Sequence, residues 1–392
     1  MDVYFDYNAT TPVDPRVIAV MTQVLRDCFG NPSSVTAPGR AARQQIDRAR
    51  DAVAGLLGAG PSEIFFTSGG TESINLAIQV AIDFAGRSES ADRKPARVLL
   101  TRIEHPATIE MAPVLEEHGL KLDWLGVDRH GRILLDELEE KITDETILVS
   151  VMLANNETGV IQSVREISRR AHLHGAWVHC DAVQAIGKIP VDVEELEVDY
   201  LSIAGHKFHA PKGVGALYIR EGAPRPRILR GGHQEREVRP GTENVPGIAG
   251  LGEAARLAVV ALASGEPVRI RALRDELWKG LKVLCPAAIL NSDPEGLPNT
   301  LHVTFPGQEG DTLVIALDLD GAYVSAGSAC ASGAQTISPV LAAMGMSPEL
   351  ARGSLRISLG RYSTSEEVDH FLNKLARALE VSDLRADPGR SA

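Results

Sequence analysis

The chain has 392 residues, 44% hydrophobic and 23% charged, enough to bury a full core and, at this length, to form two domains. A formal net charge of −12 argues against general nucleic-acid binding, and four cysteines without paired spacing point to a reducing compartment rather than a disulfide framework. The chain shows neither a membrane-span-length apolar stretch nor a basic-then-apolar leader, so a cytoplasmic protein is expected.

In chain order, residues 37–57 place Ile46, Ala49, Val53, Leu56 and Leu57 on one face and predict a helix. A short strand at Ile64, Phe65 and Phe66 runs into T-S-G-G-T-E-S and then an apolar helical stretch. The polar tract 86–95 reads as a surface loop. Apolar runs at 98–101, 147–153, 177–180, 200–203 and 215–219 are short and continuous, the pattern of a buried, mostly parallel sheet. Composition shifts at 263–267. Beyond it come a helix, a strand at 299–305, a helix, a loop, a helix near Val340 and a tail expected to fray after Ser382. The reading is α/β: a large domain over 16–260 with a seven-stranded-type sheet, and a smaller α+β domain from 1–15 plus 261–392.

Five segments carry candidate chemistry. Lys207, in A-G-H-K-F-H-A-P-K-G, follows an apolar strand, where partial desolvation favours the neutral amine, a nucleophile toward carbonyls. Most lysines at a strand end simply reach water. Gly69, Gly70 and Thr71 lie at a strand-to-helix turn, where backbone amides and the helix dipole suit an anion; an ordinary capped turn reads the same way. No Walker-type lysine follows, which disfavours a nucleoside triphosphate. Asp181 closes a strand and stands either beside a pyridine nitrogen or as a turn residue, with Gln184 three positions on. His105, before a proline, suits ring stacking and proton transfer or simply the surface. Asn155 and Asn156 suit a ring hydroxyl or a turn.

Taken together, F-G-N-P-S-S, T-S-G-G-T-E-S, E-H-P-A, A-N-N-E-T-G, H-C-D-A-V-Q-A-I-G-K, G-H-K, R-P-G-T-E-N and G-S-A-C-A-S-G occur in one order along nearly the whole chain. In these motifs the chain resembles the cysteine desulfurases of the NifS/IscS type, in the class V aminotransferase branch of fold-type I pyridoxal phosphate enzymes. The resemblance implies a homodimer that uses pyridoxal 5′-phosphate to convert L-cysteine to L-alanine. Sulfur is captured as a persulfide and passed to an acceptor such as an iron–sulfur cluster scaffold. It implies Lys207 as the Schiff-base lysine, Asp181 as partner of the pyridine nitrogen and Gln184 as donor to the ring hydroxyl. His105 stacks on the ring and carries protons, and Asn156 lies near cofactor and substrate. Gly70, Thr71 and His206 hold the phosphate, with Thr242 supplied from the neighbouring subunit. Arg356 clamps the substrate carboxylate.

The resemblance makes Cys330 the catalytic cysteine, and its setting among small polar residues suits a travelling thiol. Cys28 and Cys180 read as packing residues, as does Cys285 beside Leu284. No metal ligand set is assigned. Three departures stand out: Ala204 where many relatives have serine at the phosphate, Glu237 and Val238 in the loop before Thr242, and Ala326 in the cysteine loop. Glu237 is expected to bring negative charge near the phosphate. A selenocysteine lyase, a transaminase and a catalytically silent sulfur-transfer scaffold are the competing readings.

Overall fold

The computed structural model describes residues 1–86, 95–326 and 337–386. Seven strands form the main sheet, in the order Ile64–Thr67, Gly215–Ile219, Tyr200–Ala204, Trp177–Asp181, Thr146–Met152, Arg97–Thr101, Lys121–Leu125. Gly215–Ile219 runs antiparallel to both neighbours, and every other pair is parallel. The continuous apolar runs have the reason predicted for them: both faces are covered. Leu99, Val149, Val151, Leu201 and Ile203 join one core with the helices Ala37–Leu57, Val164–Leu173 and Val245–Ala263. On the opposite face, Val98, Leu100 and Leu148 pack with Ile74, Ile78 and Ala81 of the helix Gly70–Ala85, while Phe65, Tyr200 and Leu217 pack with its Leu76, Ala77 and Val80. The alternation of neighbours between faces is the period-two geometry of a strand.

A second core gathers Val3 and Phe5 with the strands Thr300–Thr304 and Ser354–Ser358 and the helices Glu266–Leu284, Gly310–Leu319 and Ser365–Ala386. Those two strands are antiparallel, with Ile289–Leu290 on the outer edge. Val340, Leu341, Met344 and Ala351 pack instead into the large-sheet core.

Three expectations change. The strand Lys121–Leu125 went unpredicted because this edge strand is only part-buried and carries Lys121 and Asp123. The last helix continues to Ala386 rather than fraying after Ser382. The helix Val245–Ala263 has the length and mean hydropathy, 1.5, of a membrane span, although no such stretch was expected from the sequence. Its apolarity answers to packing: 67% of that window is buried, against the helices Ala37–Leu57 and Pro15–Asp27. The compositional break at 263–267 is the junction where Gly265, at φ 81°, separates this helix from Glu266–Leu284.

Candidate active site

Parallel strands place their following loops at one sheet edge, where α/β proteins bind ligands. His105 follows Arg97–Thr101, Asn155 and Asn156 follow Thr146–Met152, Gln184 follows Trp177–Asp181, and His206 and Lys207 follow Tyr200–Ala204. Gly69 and Gly70 leave Ile64–Thr67 in the same direction.

Lys207 Nζ donates to the carbonyls of Asn8 (2.7 Å) and Ala9 (2.8 Å). The Asn8 carbonyl also accepts from Gln184 Nε2 at 3.0 Å. Asp181 is buried, and desolvation pushes its carboxyl up to about 6 against the Val183 amide (2.9 Å) and the nearby charge of Lys207. A cation beside it, such as a pyridinium nitrogen, would favour its ionised form. His105 caps the short helix Pro106–Ile109, its Nδ1 accepting from the Ala107 amide at 3.1 Å. Burial, then Lys207, lowers its pKa, so the ring is neutral and its proton sits on Nε2. In this arrangement His105 Nε2–H is a hydrogen-bond donor.

Arg356 is buried on Ser354–Ser358. Its Nη2 donates to Asp6 Oδ1 (2.7 Å) and Ser325 Oγ (3.0 Å), and Nη1 to the Asn156 carbonyl (3.3 Å). Among the described residues its buried Nε has no partner, a donor open to a further acceptor such as a carboxylate. Asn155 resolves as the turn builder, its Oδ1 accepting from the amides of Glu157 and Thr158, both at 2.9 Å. Asn156 is half-buried and contributes its carbonyl, shared by Arg356 and by Asn8 Nδ2 (3.1 Å).

A glycine is required at 70: a Cβ there would meet Val183 Cγ2 at 2.9 Å and lie 3.4 Å from the Ala204 Cβ. Thr71 is exposed at this helix start. His206, neutral because burial and then Lys207 pull it to about 4, pairs through Nδ1 with Thr10 Oγ1 at 3.2 Å. Thr242 is exposed, and among the described residues no hydrogen bond joins it to the lysine cluster. Glu237, in the loop before Thr242, pairs at the surface with Arg227 and with His233 (2.9 Å). Cys330 lies outside the described residues. Cys180 is fully buried, and Cys28 and Cys285 are part-buried against the two cores.

The description "Aminotransferase class-V" matches residues 3–371. The chain belongs to the class-V aminotransferase family. It is 46% identical over 371 residues to a cysteine desulfurase IscS of Methanosarcina thermophila, covering 94% of this chain and 90% of that protein. With a cysteine desulfurase IscS of Klebsiella pneumoniae the identity is 44% over 387 residues, covering 97% and 93%. A solved NifS-like protein superposes with a TM-score of 0.89 at 43% identity, covering 97% of this chain and all of that one. The fold is that of the fold-type I pyridoxal phosphate enzymes.

The class-V cofactor is pyridoxal 5′-phosphate, and the residues present fit it. The amine of Lys207, the buried carboxyl of Asp181 and the tight glycine turn at Gly70 answer its aldehyde, ring nitrogen and phosphate in kind. Sequence reasoning gave no role to four residues of this class-V site. Asn8 bonds to Lys188, Asn299, Asn156 and Thr300 through its side chain. Asp6 holds Arg356. Lys188 lies beneath Gln184. Glu104 is buried, and desolvation, reinforced by Asp181, lifts it to about 8, leaving it a neutral acid whose Oε1 accepts from Thr101 Oγ1 (2.6 Å) and the Met152 amide (2.8 Å). Lys188 and Glu104 lie inside motifs quoted above and Asn8 in none of them; burial was the missing signal.

Proposed function

We propose that this chain is a cysteine desulfurase: with pyridoxal 5′-phosphate it converts L-cysteine to L-alanine, and the sulfur leaves as a persulfide on Cys330. The observation that carries the reading is the convergence of Lys207, Asp181, His105, Gln184 and the buried Arg356 at one edge of the sheet. When bound, the cofactor supplies a carbonyl that links to amines and a ring that accepts the electron pair from Cα.

The protein's own groups do the rest. Arg356 receives the substrate carboxylate with its unpaired Nε. Lys207, released when the substrate amine takes its place, accepts the Cα proton. Asp181 holds the ring nitrogen protonated. The Cys330 thiolate attacks the substrate sulfur, forming an S–S bond as the Cβ–S bond breaks, and Cβ gains a proton. The sum, one thiol plus L-cysteine giving one persulfide plus L-alanine, balances without an external oxidant. Gly70, Thr71 and His206 hold the phosphate, completed by Thr242 of the second subunit in a homodimer. Residues 16–260 form the cofactor domain, and 1–15 with 261–392 form the domain that carries Cys330. The persulfide passes in the cytoplasm to an acceptor protein such as an iron–sulfur scaffold.

The test compares wild type with Cys330→Ala for alanine and sulfide release from L-cysteine plus reductant, following the visible cofactor band throughout. Turnover by wild type, with a mutant that keeps the band but releases no sulfide, is the expected result. Equal sulfide release by both proteins would remove Cys330 from the reaction and favour a lyase acting on another substrate.

A further inference from the structure

Lys188 is a residue of this cluster that the reaction above leaves unused. Its ammonium lies against Gln184 Oε1 at 2.6 Å and Asn8 Oδ1 at 2.9 Å. Desolvation drives its pKa well below the ordinary lysine value, and the charges of Lys207 and Arg356 add to that. His209 also faces it electrostatically. Lys188 and Lys207 line one cavity of about 30 Å³. Glu266 and Arg361 line it too, held to each other at 3.1 Å. Placing a second lysine beside the reactive one is electrostatically unfavourable, so its position asks for a function.

The hydrogen-bond chemistry of lysine supplies one. Set between Gln184 Oε1 and Asn8 Oδ1, Lys188 Nζ donates to both, whereas a primary amide presents an acceptor on one side and donors on the other. A lysine beneath an amide therefore settles which way round the amide lies. Gln184 must turn its oxygen to Lys188, which points its Nε2 at the Asn8 carbonyl, the same atom that receives Lys207 Nζ. Asn8 is fixed in the same sense: its Oδ1 faces Lys188 and Asn299 Nδ2 (3.0 Å), and its Nδ2 donates to Thr300 Oγ1 (2.8 Å).

We propose that Lys188 is a positioning residue that orients the Gln184 amide so that its N–H side faces the cofactor's ring oxygen, holding down the pKa of the Lys207–cofactor linkage. The inference rests on the function proposed above only through the assignment of Gln184 to that oxygen. Donation to the ring oxygen withdraws electron density from it and makes the adjoining linkage less basic. Without Lys188 the amide loses one of its two orienting contacts and keeps only the Asn8 carbonyl, so its turned-over form gains population and the linkage becomes more basic.

The experiment is a spectrophotometric pH titration of the visible band of the resting, cofactor-loaded protein, with no substrate present. Lys188→Met removes the donor and keeps the volume. The midpoint is expected to rise by about 0.7 to 1 pH unit, the equivalent of one net hydrogen bond. Gln184→Leu is expected to raise it similarly, and the double variant no further than Gln184→Leu alone, because Lys188 acts through Gln184. With L-cysteine, kcat falls while KM moves little. An unchanged midpoint in a folded, loaded Lys188→Met protein overturns the inference, as does full additivity with Gln184→Leu. Should Lys188→Met not take up cofactor, Lys188→Gln decides: its amide can accept as well as donate, so it no longer fixes which way round Gln184 lies. A raised midpoint there supports the inference and an unmoved one ends it. Failure of the desulfurase reading appears separately, as absence of sulfide release by wild type.

Discussion

At one end of the site, Asn8, Gln184, Lys188 and Lys207 are joined by hydrogen bonds drawn from three separate stretches of chain. At the other, assigned to the phosphate, Gly69 and Gly70 offer mainly backbone, Thr71 is exposed, and Ala204 contributes only a methyl group. The ring end is built from mutually dependent side chains in a dry setting, where removing one partner leaves others unsatisfied. The phosphate end is built from a helix start and close packing, where a side chain can be changed with only local consequences. Depth of hydrogen bonding thus separates the part of the site to which the proposed function assigns chemistry from the part to which it assigns the phosphate.

The largest expected effect is at the ring end. Lys207→Ala removes the base and the attachment point together, and turnover should fall by roughly 10²- to 10⁴-fold, with the visible band of the lysine-bound cofactor lost. Retained turnover above a tenth of wild type would mean that the interdependence described here does not reach the chemistry.

A smaller effect comes from acid. His179 is fully buried beneath the ring end, hydrogen-bonded to Ser150 Oγ (2.8 Å) and Ser202 Oγ (2.9 Å), and desolvation lowers its pKa to about 3. The unfolded chain binds that proton from about pH 6.5 downward and the folded one does not, so stability is complete above about 6.5 and declines as pH falls toward 3. At pH 5 the cost is about 2 kcal/mol. Glu104 and Asp181, both raised, act in the opposite sense, their penalty easing as pH falls. Comparing wild type with His179→Gln isolates the histidine: the Tm lost between pH 7 and pH 5 should shrink in the variant. Equal losses in both proteins would show that His179 is not kept neutral.

The smallest effect belongs to the phosphate end. Ala204→Ser places a hydroxyl beside Gly70, and one net hydrogen bond should tighten cofactor retention about fivefold, read as slower loss of the visible band on dialysis. A weakened site would show that the close packing of Gly70, Val183 and Ala204 has no room for it.

Much of this was legible in the sequence. Buried strands announce themselves as unbroken apolar runs, and the residues that follow them in conspicuous motifs, Lys207, Asp181, Gln184 and His105, do gather at one edge. The edge strand Lys121–Leu125 was hidden because half-burial tolerates charges that blur its pattern. Val245–Ala263 was hidden for the opposite reason, since its many alanines and glycines do not form a conspicuous apolar block. Asn8 and Asp6 lie in no quoted motif, and Lys188 closes one without a signature of its own. Asparagine in a turn and lysine after glycine are ordinary, and their roles arise only where distant segments meet.

That meeting has a consequence in time. Asn8 N donates to Ser358 Oγ at 3.0 Å, and Asp6 pairs with Arg356, contacts that span 350 positions of the sequence. The ribosome emits a chain from one end, and contacts of such span close last. Asn8, the first of these residues to be synthesised, must therefore wait for nearly all the others. The large sheet can assemble while translation continues, but Arg356 and the hub at Asn8 cannot be complete until the strand Ser354–Ser358 has emerged. A nascent chain halted before that strand would carry Lys207 and Asp181 and still lack Arg356, the residue that the proposed function assigns to the substrate carboxylate.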